Sequence, residues 1–253
     1  MLTYIFFSAD SRNVVPPVCL PHPLYIFLIL LWLLNCSCSG LSLVRLPDGR
    51  ADGIYHTIKK NQTLWRICQT YNVDLQEVAE INNIRDTSDI KAGDKIFIPG
   101  AHKVMYVPPA STNKSSPPSS QAPRQTITSK KGLFQWPLRG KIIKTFGVHN
   151  GRKHDGIDIK GSLGEKITAA RSGKVVFSAY LKGYGNTIIM EHSQKYATVY
   201  ANNRENIARK GSWIKKGEVV ATVGTSNGTG STPYLHFPIR RYNKPRNPLF
   251  YLP

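Results

Sequence analysis

Residues 151–159 read Gly-Arg-Lys-His-Asp-Gly-Ile-Asp-Ile. In a fully extended strand His154 and Asp158 would stand about 13 Å apart, too far to share one ion. The Asp155-Gly156 pair permits a turn that brings them together. A second segment, Tyr234-Leu235-His236-Phe237-Pro238-Ile239, alternates in character. Strand alternation places Tyr234 and His236 on one face and Leu235, Phe237 and Ile239 on the other. His154, Asp158 and His236 would then form a two-His, one-carboxylate zinc site for one ion, with a position open to water. Spacing alone does not separate this set from chance pairing among the 7 His of the chain.

The sequence around these segments has strand character. Residues 174–178, 186–190, 197–200 and 218–223 are short, β-branched and divided by Gly-containing turns. Nothing between residues 133 and 253 keeps a helical period, so this region is expected to be a mainly antiparallel β domain. His149 and His192 fit no ligand position, and His192, at a strand end, reads as structural.

Upstream, residues 54–100 form a second compact pattern. Tyr55-His56-Thr57-Ile58 suits a short strand. Thr63 can cap a helix in which Leu64, Ile67, Cys68 and Tyr71 share one face. Asp74 with Glu77 starts another helix, carrying Leu75, Val78, Ala79 and Ile81. Lys91-Ala92-Gly93-Asp94 turns, and Lys95-Ile96-Phe97-Ile98 closes the unit as a strand. The order is strand, helix, helix, strand. Cys68 reads as a small buried hydrophobe, and the Cys spacings give neither a disulfide framework nor a Cys-based metal site.

Residues 101–132 read as a linker. The run Pro-Pro-Ala-Ser-Thr-Asn-Lys-Ser-Ser-Pro-Pro-Ser-Ser-Gln-Ala-Pro at 108–123 holds almost no large apolar side chain and cannot bury enough surface to fold. As a flexible coil the linker would span roughly 30 Å, so the two domains are expected to be tethered without rigid docking.

The N-terminus is of another kind. Leu24 to Leu34 is unbroken apolar sequence, and Asn35-Cys36-Ser37-Cys38-Ser39-Gly40 follows at once. That length suits the h-region of an export signal and is short for a membrane span. Residues 1–38 are therefore read as a signal peptide. Leu33-Leu34-Asn35-Cys36 is similar to a bacterial lipoprotein signal, which implies lipidation at Cys36 and a membrane held through a lipid anchor.

The chain carries 34 Lys and Arg against 15 Asp and Glu, a net charge of +19. The excess is not uniform. Residues 54–99 hold six of each sign, and residues 133–253 hold twenty Lys and Arg against six Asp and Glu. A basic surface of this kind attracts polyanions or an acidic partner, and its other reading is a solvated face that aids solubility. No recognised motif supports nucleic acid as a partner, and export argues against it.

Two resemblances organise these readings. The run Tyr55-His56-Thr57-Ile58-Lys59-Lys60-Asn61-Gln62-Thr63-Leu64-Trp65, with Asn82, Ile84 and Lys91-Ala92-Gly93-Asp94-Lys95-Ile96-Phe97-Ile98-Pro99, resembles the LysM family; Asn61 stands where Gly is more usual. The resemblance implies binding to the N-acetylglucosamine-containing strands of peptidoglycan. Gln62, Thr63 and Asn82 lie near the strand–helix junctions where a shallow glycan groove would form, and helix capping is their other reading.

From about Phe134 to Pro253 the chain is similar to the lysostaphin/LytM-type metallopeptidases. The segments that carry the likeness are 151–159, Tyr184-Gly185-Asn186-Thr187-Ile188-Ile189, Ile214-Lys215-Lys216-Gly217-Glu218 and Leu235-His236-Phe237. The likeness implies a grooved β-sheet fold and places His154, Asp158 and His236 at the metal-ligand positions. Two positions depart. Active members carry a His two residues after a strand Tyr, where this chain has Tyr200-Ala201-Asn202. They carry another two residues before the last ligand, where this chain has Tyr234. Asn202 has no useful pKa and Tyr234 is ordinarily neutral at pH 7. Losing general acid–base help typically costs about 10²- to 10⁴-fold in rate.

Lipoprotein-like signal, LysM module, Pro/Ser linker and altered LytM-type domain together resemble the NlpD-type envelope proteins. Those proteins lack catalysis and activate N-acetylmuramoyl-L-alanine amidases in cell separation. The resemblance implies a non-catalytic, periplasmic, lipid-anchored activator or regulator of wall amidases. The alternative, motivated by the intact ligand set, is a zinc metalloendopeptidase hydrolysing peptidoglycan peptide bonds. A passive wall anchor is a third reading.

Overall fold

The computed structural model describes residues 50–110, 127–225 and 232–253. The signal segment at 1–38, with Cys36, lies outside them. Among the described residues no helix is long and apolar enough to cross a membrane.

The first module runs β1 (Gly53–Thr57), α1 (Leu64–Tyr71), α2 (Leu75–Ile81), a 3-10 turn (Thr87–Asp89) and β2 (Lys95–Pro99). Strands β1 and β2 pair antiparallel, with Tyr55 opposite Phe97. Thr63 caps α1 by accepting from the Arg66 amide at 3.3 Å, and Asp74 caps α2 by accepting from the Glu77 amide at 2.8 Å. The helices press Leu64, Ile67, Cys68, Leu75 and Val78 against Ile96 and Ile98. Burial pushes the Cys68 thiol up to about 12, as befits a packing residue. Asn61 has φ 64°, a left-handed conformation that Gly adopts without cost and Asn tolerates best among the rest.

The second module is nearly all strand: β3 (Ile142–Lys144), β4 (Gly147–His149), β5 (Arg152–His154), β6 (Ile157–Lys160), β7 (Lys166–Thr168), β8 (Gly173–Leu181), β9 (Gly185–His192), β10 (Tyr196–Asn206), β11 (Trp213–Ile214), β12 (Val219–Val223), β13 (Tyr234–Phe237), β14 (Ile239–Arg241) and β15 (Lys244–Arg246). The main sheet runs β11-β8-β9-β10-β13-β6-β3. Long β10 bends at a bulge near Tyr200 and Asn203, and so also pairs with β12 and β14. Side chains on one face, among them Ile157, Ile159, Leu235 and Phe237, enter a core completed by Phe134 and Phe250. His192 is buried between the Ser172 carbonyl and the Thr198 hydroxyl, and burial lowers it to about 4. It is a structural imidazole.

Residues 101–132 are only partly the linker that their composition suggests. Val107 is buried in the first module, its carbonyl accepting from Gln62 Nε2 at 2.7 Å, and Ala110 donates to the Asn61 carbonyl at 2.7 Å. At the far end Thr128 and Gln76 bond reciprocally, and Ile127 packs against both cores. Residues 111–126 lie outside the described part.

The two modules also dock, where tethering alone was expected. Composition cannot reveal this, because the contact rests on a few residues far apart in sequence. Glu80 of α2 is 2% exposed. Its carboxylate accepts from the Asn247 amide at 3.1 Å and the Tyr251 hydroxyl at 3.3 Å, and its own carbonyl accepts from Asn247 Nδ2 at 3.0 Å. Burial raises the Glu80 carboxyl above its ordinary value, against the pull of the Gln76 bond and the nearby Arg246 charge. Removing one partner of such a buried set costs about 1–3 kcal/mol. Glu80→Ala is therefore expected to lower the melting temperature and split calorimetric unfolding into two transitions, one per module. A single transition at the wild-type temperature would refute the docking.

Candidate metal centre

The quoted segment makes the expected bend. Strand β5 ends at His154, Asp155-Gly156 turns, and β6 begins at Ile157. Gly156 is required by contact: a Cβ there would lie 2.7 Å from Pro238 N and 2.8 Å from Phe237 C. The turn sets His154 Nε2 3.2 Å from Asp158 Oδ1. On the neighbouring strand β13, His236 stands directly opposite Asp158 in the ladder, and its Nδ1 lies 2.6 Å from the same oxygen. One ligand atom from each of the three residues falls within 4.8 Å of the others. Such a donor set can hold a metal ion, and two imidazoles with one carboxylate suit zinc.

Three side chains support this set that the sequence reading did not single out. Asp155 Oδ1 lies 3.3 Å from His236 Nε2. Its other oxygen accepts from the Tyr184 hydroxyl at 2.9 Å and Arg240 Nη1 at 3.4 Å. Asp155 is beside His154 in the motif, but the Asp-Gly pair was read only for its bend. Tyr184 arrives from the turn between β8 and β9 and Arg240 from β14, and no sequence spacing announces their meeting with Asp155. The Thr145 carbonyl meets His154 Nδ1 at 2.9 Å and so orients the second imidazole. His149 meets the same carbonyl at 2.7 Å and takes no place in the donor set.

The electrostatics follow from this packing. Burial alone would lower His236, but its hydrogen bonds to Asp155 and Asp158, with their charges, outweigh burial and raise it to about 9. Burial would raise both carboxyls, yet the bonds from His236 and, at Asp158, from His154 hold them below the ordinary range.

Asn202 and Tyr234 border the same cavity of about 600 Å³. Asn202 is 7% exposed and left-handed at φ 62°. Its Nδ2 donates to the Tyr234 carbonyl at 2.9 Å and the Gly224 carbonyl at 3.4 Å. The amide thus ties β10 to β13 at the rim of the cavity.

In the first module Gln62 is buried, bonded to His56, the Lys59 amide and the Val107 carbonyl. The Asn82 amide bridges Val78 and Phe97. Thr63 is exposed at the head of α1. The donors and acceptors of Gln62 and Asn82 thus serve the module's own frame, while Thr63 faces solvent.

Comparison with known proteins places this arrangement. Residues 152–248 match the model of peptidase family M23, and residues 56–99 match that of the LysM domain. The lipoprotein YgeR of Escherichia coli is 34% identical over 236 residues, covering 90% of this chain and 92% of YgeR. The chain belongs to the NlpD/YgeR family. The murein hydrolase activator NlpD of E. coli is 30% identical, with 82% of this chain and 70% of NlpD covered. The NlpD/LppB homolog of Pseudomonas aeruginosa is 41% identical over 137 residues, with 54% and 45% covered. Among solved structures, Helicobacter pylori Csd3 aligns at TM-score 0.43 with 32% identity, over 49% of this chain and 34% of Csd3. A zinc-containing peptidase of Vibrio cholerae aligns at 0.41 with 28% identity, over 45% of this chain and 38% of the peptidase.

The pH dependence has a definite sign in the metal-free protein. His236 is raised from 6.5 to about 9, so its stabilisation is complete below pH 6.5 and lost as pH rises through 9. Asp155 and Asp158 are lowered from 3.8, so theirs is present above that pH and lost as pH falls. The melting temperature of chelator-treated protein should drop by several degrees between pH 7 and 9.5. In a His236→Asn variant it should start lower and stay level across that range. A wild-type profile as level as the variant's would remove the proposed ion pairing.

Proposed function

We propose that the protein is a peptidoglycan-binding envelope protein whose C-terminal domain activates wall amidases without cutting the wall itself. The observation that carries this reading is the state of Asn202. Its amide is engaged with the Tyr234 and Gly224 carbonyls, and it offers no group that titrates near pH 7. Tyr234 brings a phenol where the active members of the resembled family bring an imidazole. Family membership agrees, since NlpD relatives bear the name murein hydrolase activator.

His154, Asp158 and His236 would hold one zinc ion. When bound, zinc polarises a carbonyl and acidifies a water. The chain's own residues then orient and shield: Asp155 fixes the His236 ring, Thr145 fixes the His154 ring, and Tyr184 and Arg240 hold Asp155. The amide of Asn202 has no proton to give a leaving amine at neutral pH, and its donors are engaged with two carbonyls. The groove therefore suits binding better than turnover. The LysM module would bring it to the glycan strands, with Thr63 and the exposed backbone at the strand–helix junction meeting the sugars and Gln62 and Asn82 holding that junction in shape. The signal at 1–38 and a lipid on Cys36 would place the protein on the periplasmic face of a membrane.

The zinc endopeptidase reading keeps one observation in its favour, the three donors within 4.8 Å. Dye-labelled peptidoglycan separates the two. Wild-type protein with zinc should release no dye alone, and should accelerate release by an N-acetylmuramoyl-L-alanine amidase. Release by wild-type protein alone, abolished in His154→Ala, would establish the enzyme. No effect on any amidase would end the activator reading.

A second test acts on the two replaced positions. Asn202→His with Tyr234→His restores both imidazoles, and His is among the residues that tolerate a positive φ. With zinc, this variant is expected to hydrolyse wall peptides at least about 100-fold faster than wild type, the lower end of what acid–base help supplies. A folded, zinc-loaded double variant with no gain would show that inactivity has another cause.

A further inference from the structure

The cavity at the metal centre has a neighbour. It shares Lys153, His154 and Asp155 with a second space of about 410 Å³ that lies between α2 of the first module and the second module. Each module supplies one wall. On the α2 side stand Asp74, Glu77 and Glu80; on the other stand Lys153, Lys244 and Arg246. Phe146 and Pro245 add apolar surface between them.

The inner end is shut by contact. A Cβ on Gly147 would lie 2.7 Å from the Ile81 carbonyl oxygen, and Arg246 Nη1 reaches Glu80 at 3.8 Å. Further out the walls separate. Among the described residues, Asp74 and Glu77 form no ion pair with Lys153 or Lys244, although the charges are opposite and face one cleft. All four side chains belong to exposed residues, so water and ligand reach them. A cleft with one acidic and one basic wall favours a ligand that carries both signs, because a single charge gains at one wall and loses at the other.

We propose that this interdomain cleft binds the zwitterionic end of a wall stem peptide. The ammonium faces Asp74 and Glu77, and the carboxylate faces Lys153 and Lys244. The aliphatic stem lies on Phe146 and Pro245, and the preceding residues run past His154 into the metal groove. The volume is that of a small-ligand site. The site exists only while the modules are docked, so Glu80 also maintains it. The proposal rests on the peptidoglycan reading above and narrows it to the peptide part of the polymer.

The test uses the full chain and isothermal titration with a soluble disaccharide-tripeptide whose terminal diamino acid bears a free amine and a free carboxylate. Lys244→Glu and Glu77→Lys, each confirmed folded by its melting transition, should weaken binding about fivefold apiece, the size of one exposed charge pair. Acetylating the ligand's amine or amidating its carboxylate should do the same to wild type. Added salt should weaken binding further. Sedimentation with intact sacculi, carried by the LysM module, should not change in either variant. Equal affinity for free and blocked ligands, or variants indistinguishable from wild type, would overturn the proposal. So would charge variants that lose amidase activation while still binding the peptide as wild type does, because the cleft would then serve the amidase. Failure of wild-type protein to sediment with sacculi would instead strike the underlying peptidoglycan reading.

Discussion

Everything at the metal centre depends on one register. Strand β13 pairs with β6 so that His236 stands opposite Asp158. Side chains alternate along a strand, so a slip of one residue would turn His236 into the core and bring Leu235 or Phe237 to the surface. Those two are fully buried, and burying each contributes about 1.5–3 kcal/mol. The apolar residues on one face thus hold the polar residues in place on the other. The same core fixes Gly156, whose close approach to Phe237 and Pro238 makes the His154–Asp158 bend possible.

The docking of the two modules rests on a smaller and more fragile set. One buried carboxylate, Glu80, meets an amide, a phenol and a guanidinium from residues 246–251 of the other module. Such a contact contributes less through net attraction than through the cost of leaving its members unpaired. It therefore specifies an orientation more than it strengthens the fold. That orientation puts the acidic face of α2 beside a basic domain, and it aligns a glycan-binding module with the groove that would receive the peptide.

How far the sequence disclosed this architecture varies with the range of the interaction. The β-α-α-β order, the capping by Thr63 and Asp74, and the alternation at 234–239 were legible because they follow from local period and side-chain chemistry. The gathering of His154, Asp158 and His236 was legible through resemblance, since spacing left the set no better than a chance pairing. Asp155 was visible in the motif and its role was not: only the fold brings its carboxylate to the second nitrogen of His236. Arg240, Tyr184 and the Glu80–Asn247 contact were hidden for the same reason, being pairings between residues tens of positions apart. The linker misled in the opposite direction. Its Pro and Ser content is real, but Val107 and Ile127 at its ends are apolar, and each finds a core to join.

On the proposed non-catalytic reading, a donor set fit for a metal looks out of place if such donors serve only hydrolysis. The geometry removes the difficulty. His236 lies between two carboxylates, and His154 between a carboxylate and a carbonyl. These residues satisfy one another even without a metal, as buried polar groups must. Replacing Asp158 would take a carboxylate partner from both imidazoles at once, and removing one partner of a buried hydrogen-bonded pair is costly. Asn202 carries no such constraint, because its amide is bonded to the Tyr234 and Gly224 carbonyls and to no charged group. On that reading the donor triad stays in place for structural reasons, because each member bonds to the next.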